Sequence, residues 1–331
     1  MQDRIAQWLA YCPDPETDPL PGMRAAGLLD PFPDYAAIAR GKAALVQATG
    51  LPGIASVWGG RQLVYRHFLG FGTDAQRAAW SGRALAVAIS EPDVGAHPKL
   101  LTTRAEPTES GYCITGRKAW VTNGPCADAI IVFAITAEEA GRKRYSAFIV
   151  PRDTPGLTIA EMPGFHALRP SKHCLLTLDG CQVPPDALLG EPGSAYDRMA
   201  LPFRDIEDAV GTFGTLGAVR HAISLFAGRD GPAEALGAIV ALTAVFAAGA
   251  EAVVTSLDAG RFRTGDATLI GSRVLALDIV SRLRALSVGA EDVLIKILSD
   301  LDATLAIARG PRLARQTRLG EAALRGVKRP E

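Results

Sequence analysis

The chain carries no surplus of either charge: 35 Lys and Arg stand against 35 Asp and Glu, for a formal net charge of +0. A protein built to hold a nucleic acid or an acidic polymer would show a basic excess, so neither is an expected partner. There are only five cysteines, Cys12, Cys113, Cys126, Cys174 and Cys181, and no two form a CxxC pair. That scatter argues against a zinc site and a disulfide framework and fits a reducing cytoplasm. No metal is expected. No charged-then-apolar leader opens the chain, so no secretion signal is expected and the expected location is cytoplasmic. No GxGxxG opens a strand–helix unit, which removes the sequence case for a Rossmann nucleotide domain. Gly41-Lys42 lacks P-loop spacing and lies in a helical pattern, so Lys42 is expected at the surface. Gly214-Thr215-Leu216-Gly217 follows a helix pattern and reads as helix-packing glycine. One nearly apolar run, residues 235–250, ends at Glu251. It is shorter than the roughly 20 residues a bilayer span needs, so it is expected as a buried helix of a bundle rather than a membrane segment.

What is present suggests more than one core. At 331 residues the chain is too long for a single compact core and predicts two or three domains. Its 48% hydrophobic and 21% charged residues are ordinary for a globular protein. Residues 1–83 read as helices broken by prolines, with helices over 23–29, Tyr35–Thr49 and 73–80. Residues 84–198 change to short apolar runs, at 84–89, 130–134, 145–150 and 174–178, separated by turn clusters. From 199 to 331, Gly and Pro thin out and Ala- and Leu-rich helices take over. The expected class is α+β: an N-terminal helical domain, a central β domain and a C-terminal helical bundle. No internal repeat or low-complexity tract interrupts this order.

The most informative residues lie between 89 and 128. The first piece is Ile89-Ser90-Glu91-Pro92-Asp93-Val94-Gly95-Ala96-His97; the second is Lys118-Ala119-Trp120-Val121-Thr122-Asn123-Gly124-Pro125. A short apolar run ending in a Pro and Gly cluster reads as a strand entering a loop. Gly95 and Ala96 lack bulk, so backbone can approach a flat or phosphorylated ligand closely. Gly116-Arg117 is expected to turn between two short strands, and Asn123-Gly124 is a tight-turn dipeptide. Trp120 and Thr122 are two apart and so share a strand face. An aromatic slab beside a hydroxyl suits an isoalloxazine ring; an ordinary hairpin with a core Trp would read the same way.

In this order and spacing the two pieces resemble the β-domain signature of the acyl-CoA dehydrogenase family, flavoproteins that use FAD. Further matches follow: Ser146-Ala147-Phe148-Ile149-Val150 with Asp153-Thr154-Pro155-Gly156-Leu157, residues 179–184, Leu188-Leu189-Gly190, and the pair Arg204 and Arg229. The likeness covers roughly residues 84–230 well and the two ends poorly. It implies that Val87, Ile89 and Ser90 line the flavin ring edge, and that Trp120, Val121 and Thr122 cover its other face. Thr122 would hydrogen-bond near the redox-active nitrogen. Gly95 and Ala96 would lie near the pyrophosphate and the CoA entry, Arg204 would meet substrate, and Arg229 would reach the FAD of a neighbouring subunit. The chain departs from the pattern at Ala96-His97, where many relatives carry Ser-Asp, which removes one hydroxyl contact worth about 0.5–1.5 kcal/mol. His97, next to Pro98, is expected at the surface. Arg229 also suits a helix-terminal role, and the aromatic-glycine step that follows it in the family is absent.

The family's dehydrogenation needs a carboxylate to take the α-proton of a thioester while the β-hydride passes to flavin. The Tyr-Glu-Gly-Thr-like turn that supplies it is not present. Glu321 lies in the right region without matching neighbours, and a Glu on a basic helix is commonly a solvated ion-pair partner. Some relatives place the base one residue before the Arg204 position, but here that residue is Phe203. Glu207 lies one helical turn on and is a second candidate; Asp205 and Asp208 have no better support. The cluster Arg309, Arg312, Arg315, Arg318, Arg325, Lys328 and Arg329 could receive phosphates, but reads first as a charged terminal helix and frayed tail.

Three readings follow from the resemblance. The first is an active FAD-dependent acyl-CoA dehydrogenase, a homodimer or homotetramer with a displaced base, passing electrons to an acceptor flavoprotein. The second is a non-catalytic or half-site subunit of a heteromer with a longer relative. The third is a repurposed flavin oxidase or monooxygenase of the same fold. A flavin-free scaffold stands behind these.

Overall fold

The computed structural model describes residues 1–228, 231–287 and 292–326. Among them the α-helices are α1 (Gln2–Tyr11), α2 (Leu20–Ala25), α3 (Tyr35–Thr49), α4 (Pro52–Leu63), α5 (Asp74–Trp80), α6 (Leu201–Ser224), α7 (Ala233–Asp258), α8 (Ala267–Leu286), α9 (Asp292–Ala306) and α10 (Arg309–Leu324). The strands are β1 (Leu85–Ala88), β2 (Arg104–Thr108), β3 (Gly111–Thr122), β4 (Ala129–Glu139), β5 (Arg142–Pro151), β6 (Leu157–Glu161), β7 (His173–Val183) and β8 (Leu188–Leu189). The order is helical, then β, then helical, as expected. The chain groups into two compact units. One comprises Met1–Gly22, Phe32–Ala55 and Ile206–Glu331; the other comprises Met23–Pro31 and Ser56–Asp205.

The sheet unit is built on an eight-stranded sheet in the order β6-β7-β3-β2-β4-β5-β8, with β1 pairing parallel to β4. The β4 run from Ala129 to Ile135 is buried at every position, which marks a strand covered on both faces. Alternation then sorts its side chains. Ala129, Ile131, Phe133 and Ile135 join one core with Val64, Phe68, Tyr196 and Met199. Ile130, Val132 and Ala134 join the other with Ile114, Val121, Phe148 and Leu176. The first core is closed by two π-helical turns, Val64–Phe68 and Tyr196–Ala200, tied by a 2.9 Å bond between His67 Nε2 and the Met199 carbonyl.

One sequence expectation fails here. Gly116-Arg117 does not turn between two strands; β3 runs through it for 12 residues. Gly116 sits at a register shift against β7, with φ +153°. A Cβ there would lie 2.5 Å from the Thr103 hydroxyl, so glycine serves close passage rather than a turn. Asn123 does turn the chain, in the left-handed region at φ +60°.

In the helical unit, α3 begins at a double cap. Asp34 accepts from the Ala37 amide at 2.6 Å, and the Asp258 carboxylate, at the end of α7, accepts from the Tyr35 and Ala36 amides at 2.9 and 2.8 Å. Helix α6 crosses α3 closely. A Cβ on Gly217 would collide with the Ala43 carbonyl oxygen, and one on Gly214 would lie 3.0 Å from the Ala55 Cβ. The Gly214–Gly217 segment is therefore helix packing, as expected. Two other expectations change. Lys42 is 6% exposed, not a surface residue, because its position on α3 falls among Ile38, Leu45 and Val46, all sealed from solvent. The apolar run at 235–250 forms part of α7 but is buried along one stripe only, Ile239, Thr243, Phe246, Ala250, Val253 and Val254. Steps of three and four place these on one helical face, and leave Val240 and Val245 exposed. By length and composition α7 could cross a membrane, with a third of its most apolar window buried.

Candidate functional site

The segment after β1 is locked to β3 by charge. Lys118 Nζ lies 3.0 Å from the Glu91 carboxylate and donates to the Ile89 carbonyl at 3.1 Å. Glu91 also accepts from the Thr102 amide and hydroxyl, at 2.7 and 2.8 Å, and from the Thr103 amide at 2.9 Å. The Ala119 amide donates to the Ser90 carbonyl at 2.9 Å. Both charged side chains are buried. Desolvation pushes the Glu91 carboxyl up, but Lys118 and the threonine hydrogen bonds outweigh it and hold it down at about 2. Desolvation lowers Lys118 to about 8 against the opposing pull of Glu91. Ile89 and Ser90 are thereby held, half-buried, beside the end of β3.

At that end the strand breaks register. Between Lys118 and Val121 the pairing with β7 slips, and Trp120 takes φ +59°. A bulky residue in the left-handed region is uncommon and costs energy. Here it turns the indole outward, leaving Trp120 50% exposed. The indole meets Phe165 and His173 edge-on, with centroids 5.5 and 6.3 Å away. His173 Nδ1 is buried and has no hydrogen-bond partner within the protein, and burial lowers its pKa. Thr122 is half-buried. Val121 is fully buried in the core, so it could meet a ring only through its backbone.

Gly95 and Ala96 sit in a tight loop closed by reciprocal Glu91–Gly95 backbone bonds of 2.9 and 3.1 Å. A Cβ on Gly95 would meet nothing, so space there is open. The Ala96 carbonyl accepts from the Tyr196 hydroxyl at 2.7 Å, and Arg204 acts electrostatically on that same tyrosine. The structure therefore brings Ile89 and Ser90 beside Trp120, and links Ala96 to Arg204 through Tyr196. His97 is exposed, as expected. Phe203 packs against Phe68 at 4.6 Å and stacks on His67 at 5.5 Å, which fixes it as a core residue. Arg229 lies outside the described residues, as do Lys328 and Arg329.

The candidate bases differ in setting. Glu321 is an exposed residue paired with Arg325 at 3.9 Å. Glu207, in the helical unit, is exposed. Desolvation raises its carboxyl above the ordinary 4.5, against the pull of Lys42. Asp208 is held by Arg312 at 2.6 Å and Arg315 at 2.8 Å, and Asp205 is buried. These two arginines thus anchor α10 to α6, where a solvated terminal helix was expected. Glu91, Lys118, Phe165 and His173 escape the sequence reading. Glu91 and Lys118 lie within the two informative motifs, but nothing in a spacing of 27 residues pairs them.

The arrangement fits a flat aromatic cofactor: an outward indole, a neighbouring hydroxyl, open space at Gly95, and a buried imidazole nitrogen left without a protein partner. Among the described residues no group of three His, Cys, Asp or Glu could hold a metal ion.

The fold is a central sheet preceded and followed in sequence by helices, and known proteins resemble it. Residues 86–181 match the model of the acyl-CoA dehydrogenase middle domain. The chain is 33% identical over 140 residues to a mitochondrial 2-methylacyl-CoA dehydrogenase of Solanum tuberosum, covering 42% of this chain and 34% of that protein. It is 35% identical over 144 residues to the mitochondrial short-chain specific acyl-CoA dehydrogenase of Homo sapiens, covering 42% and 35%. The chain thus spans about a third of the length of the curated relatives it matches. The crystal structure of butyryl-CoA dehydrogenase from Megasphaera elsdenii superposes with a TM-score of 0.83 at 18% identity, over 98% of this chain and 97% of that one, which shows a shared fold. Residues 86–181 are thus similar to the acyl-CoA dehydrogenase middle domain, and the chain shares the fold of butyryl-CoA dehydrogenase.

Proposed function

We propose that this protein is an FAD-dependent dehydrogenase that converts an acyl-CoA thioester to the α,β-unsaturated acyl-CoA and passes the electrons to an acceptor flavoprotein. The observation that carries this reading is the half-exposed Trp120 indole, turned outward at a register break beside Thr122. Bound FAD would supply the hydride acceptor. Trp120 and Thr122 would hold one face and edge of its ring, with Ile89, Ser90 and Val87 at the other side, and the Glu91–Lys118 pair would keep those two segments in place. Gly95 and Ala96 would admit phosphates without a side chain in the way. A carboxylate would take the α-proton, and Glu207 and Glu321 are the candidates the sequence offers. Of the two, Glu207 has a carboxyl that desolvation raises above its ordinary value, while Glu321 pairs with Arg325.

The test is the visible spectrum of the purified protein and the identity of any flavin released on denaturation. An oxidised flavin spectrum with FAD released, bleached on adding an acyl-CoA, is the expected result. A colourless protein that does not take up added FAD would sink the reading of this chain as a self-sufficient enzyme. It would turn attention to a half-site subunit.

A further inference from the structure

The corner where α9 gives way to α10 gathers more positive charge than negative, and it lies wholly within the helical unit. Asp208, on α6, takes two guanidinium groups from α10, Arg312 at 2.6 Å on Oδ1 and Arg315 at 2.8 Å on Oδ2. Arg312 Nη1 also donates to the Ile307 carbonyl at 2.6 Å, and Arg273, from α8, donates to the Leu305 carbonyl two residues earlier. Arg273, Arg312 and Arg315 are therefore tied to one turn of backbone and one carboxylate. Arg309 opens α10, is exposed, and makes no hydrogen bond or ion pair among the described residues. Glu207, next to Asp208, is the other carboxylate that feels the group, through Arg312. Four cations against two carboxylates leave an excess of two. The Asp208 and Arg315 side chains are only 11% and 7% exposed, so water screens that excess poorly. Its effect shows at Arg273, where burial and the charges of Arg312, Arg315 and Arg309 lower the pKa to about 10 against the opposing pull of Asp208. The start of α10 adds to the imbalance. No side chain caps the helix, no acidic residue stands in its first turn, and Ala308 before it takes φ +52°. The first amides of a helix carry partial positive charge and need acceptors. Space beside them is open, since a Cβ on Gly310 would meet nothing.

We infer that the α9–α10 corner is a binding site for a phosphate group, held by Arg273, Arg309 and Arg312 around the uncapped first turn of α10. A phosphomonoester carries about two negative charges, which matches the excess, and three acceptor oxygens for forked donors arriving from two helices. Free phosphate and a nucleotide phosphate share this chemistry, and the test separates them. The site does not rest on the flavin reading.

The test titrates the full chain, at constant ionic strength and by calorimetry, with inorganic phosphate, adenosine monophosphate and, as the control, adenosine. Saturable binding of a phosphate compound, with a rise in unfolding temperature as it is added, is the expected result. Equal affinity for the two phosphate compounds identifies the free anion as the ligand, and tighter binding of adenosine monophosphate identifies a nucleotide; either supports the site. Arg309→Gln alters an exposed, unpaired side chain, so it should leave the unliganded unfolding temperature where it is and weaken binding by about tenfold. Arg273→Met should weaken binding as well, while the Asp208 pairs persist. A merely structural cluster would lose the same stability in Arg273→Met with and without phosphate. No saturable binding of either phosphate compound, adenosine binding as tightly as its monophosphate, or full affinity in Arg309→Gln would overturn the site.

Discussion

The Lys118 ammonium lies 3.0 Å from the Glu91 carboxylate with both side chains sealed from solvent, and the same ammonium holds the Ile89 carbonyl. A buried pair of this kind is weak evidence for net stability, but breaking it leaves a stranded charge. Glu91→Gln should therefore destabilise the protein by about 3–5 kcal/mol, read as a lower urea midpoint at neutral pH. Replacing both residues with apolar ones of similar volume should cost much less. A Glu91→Gln protein as stable as wild type would show that the threonine bonds, not the charge, fix the segment.

The same pair predicts a pH signature. Glu91 titrates at about 2 in the folded protein against an ordinary 4.5, so its contribution is present above 4.5 and is lost as pH falls from there toward 2. The stability gap between wild type and Glu91→Gln should shrink over that window. Lys118 is depressed to about 8 from 10.5. The unfolded chain then binds the extra proton between those values, so this residue makes stability rise with pH from 8 to 10.5. Urea midpoints measured across both windows, in wild type and in Lys118→Met, check the two signs.

How much of this could be read from residues alone depends on distance along the chain. The Tyr35–Thr49 helix and the strands at 130–134 and 145–150 are legible because local apolar patterning and caps specify them. The Trp120–Thr122 motif is legible because it is contiguous. The burial of Lys42 is not, because a lysine in an ordinary helical pattern reads as a surface residue. Nor is the outward turn of Trp120, which follows from a slip against β7 more than 50 residues later. The passage of β3 through Gly116 hides for the same reason: the residue that demands glycine there is Thr103, on a different segment.

Trp120 offers a separation of stability from binding. Its indole is 50% exposed and its outward turn already costs backbone energy, so Trp120→Gly should change the urea midpoint little. Flavin affinity should fall by about two- to tenfold from the ring contact alone, since an aromatic face in contact with a ring carries about 0.5–1.5 kcal/mol beyond its buried area. Equilibrium dialysis against FAD measures this directly. Unchanged retention would mean that the indole faces something other than the ring.

Gly217 tests the helix crossing itself. A methyl group there would collide with the Ala43 carbonyl oxygen and lie 3.0 Å from the Val46 Cβ, so α3 must move away from α6 or the backbone must bend. Overpacking of this sort costs about 1–3 kcal/mol, which outweighs the roughly 1 kcal/mol that alanine gains over glycine in a helix interior. Gly217→Ala should therefore be net destabilising, by calorimetry or urea titration. Lys42 is the neighbour of Ala43, so the displacement should reach its ammonium, and its midpoint near 8 should move. A stabilised Gly217→Ala protein with an unmoved Lys42 midpoint would show that the helices have slack at this crossing.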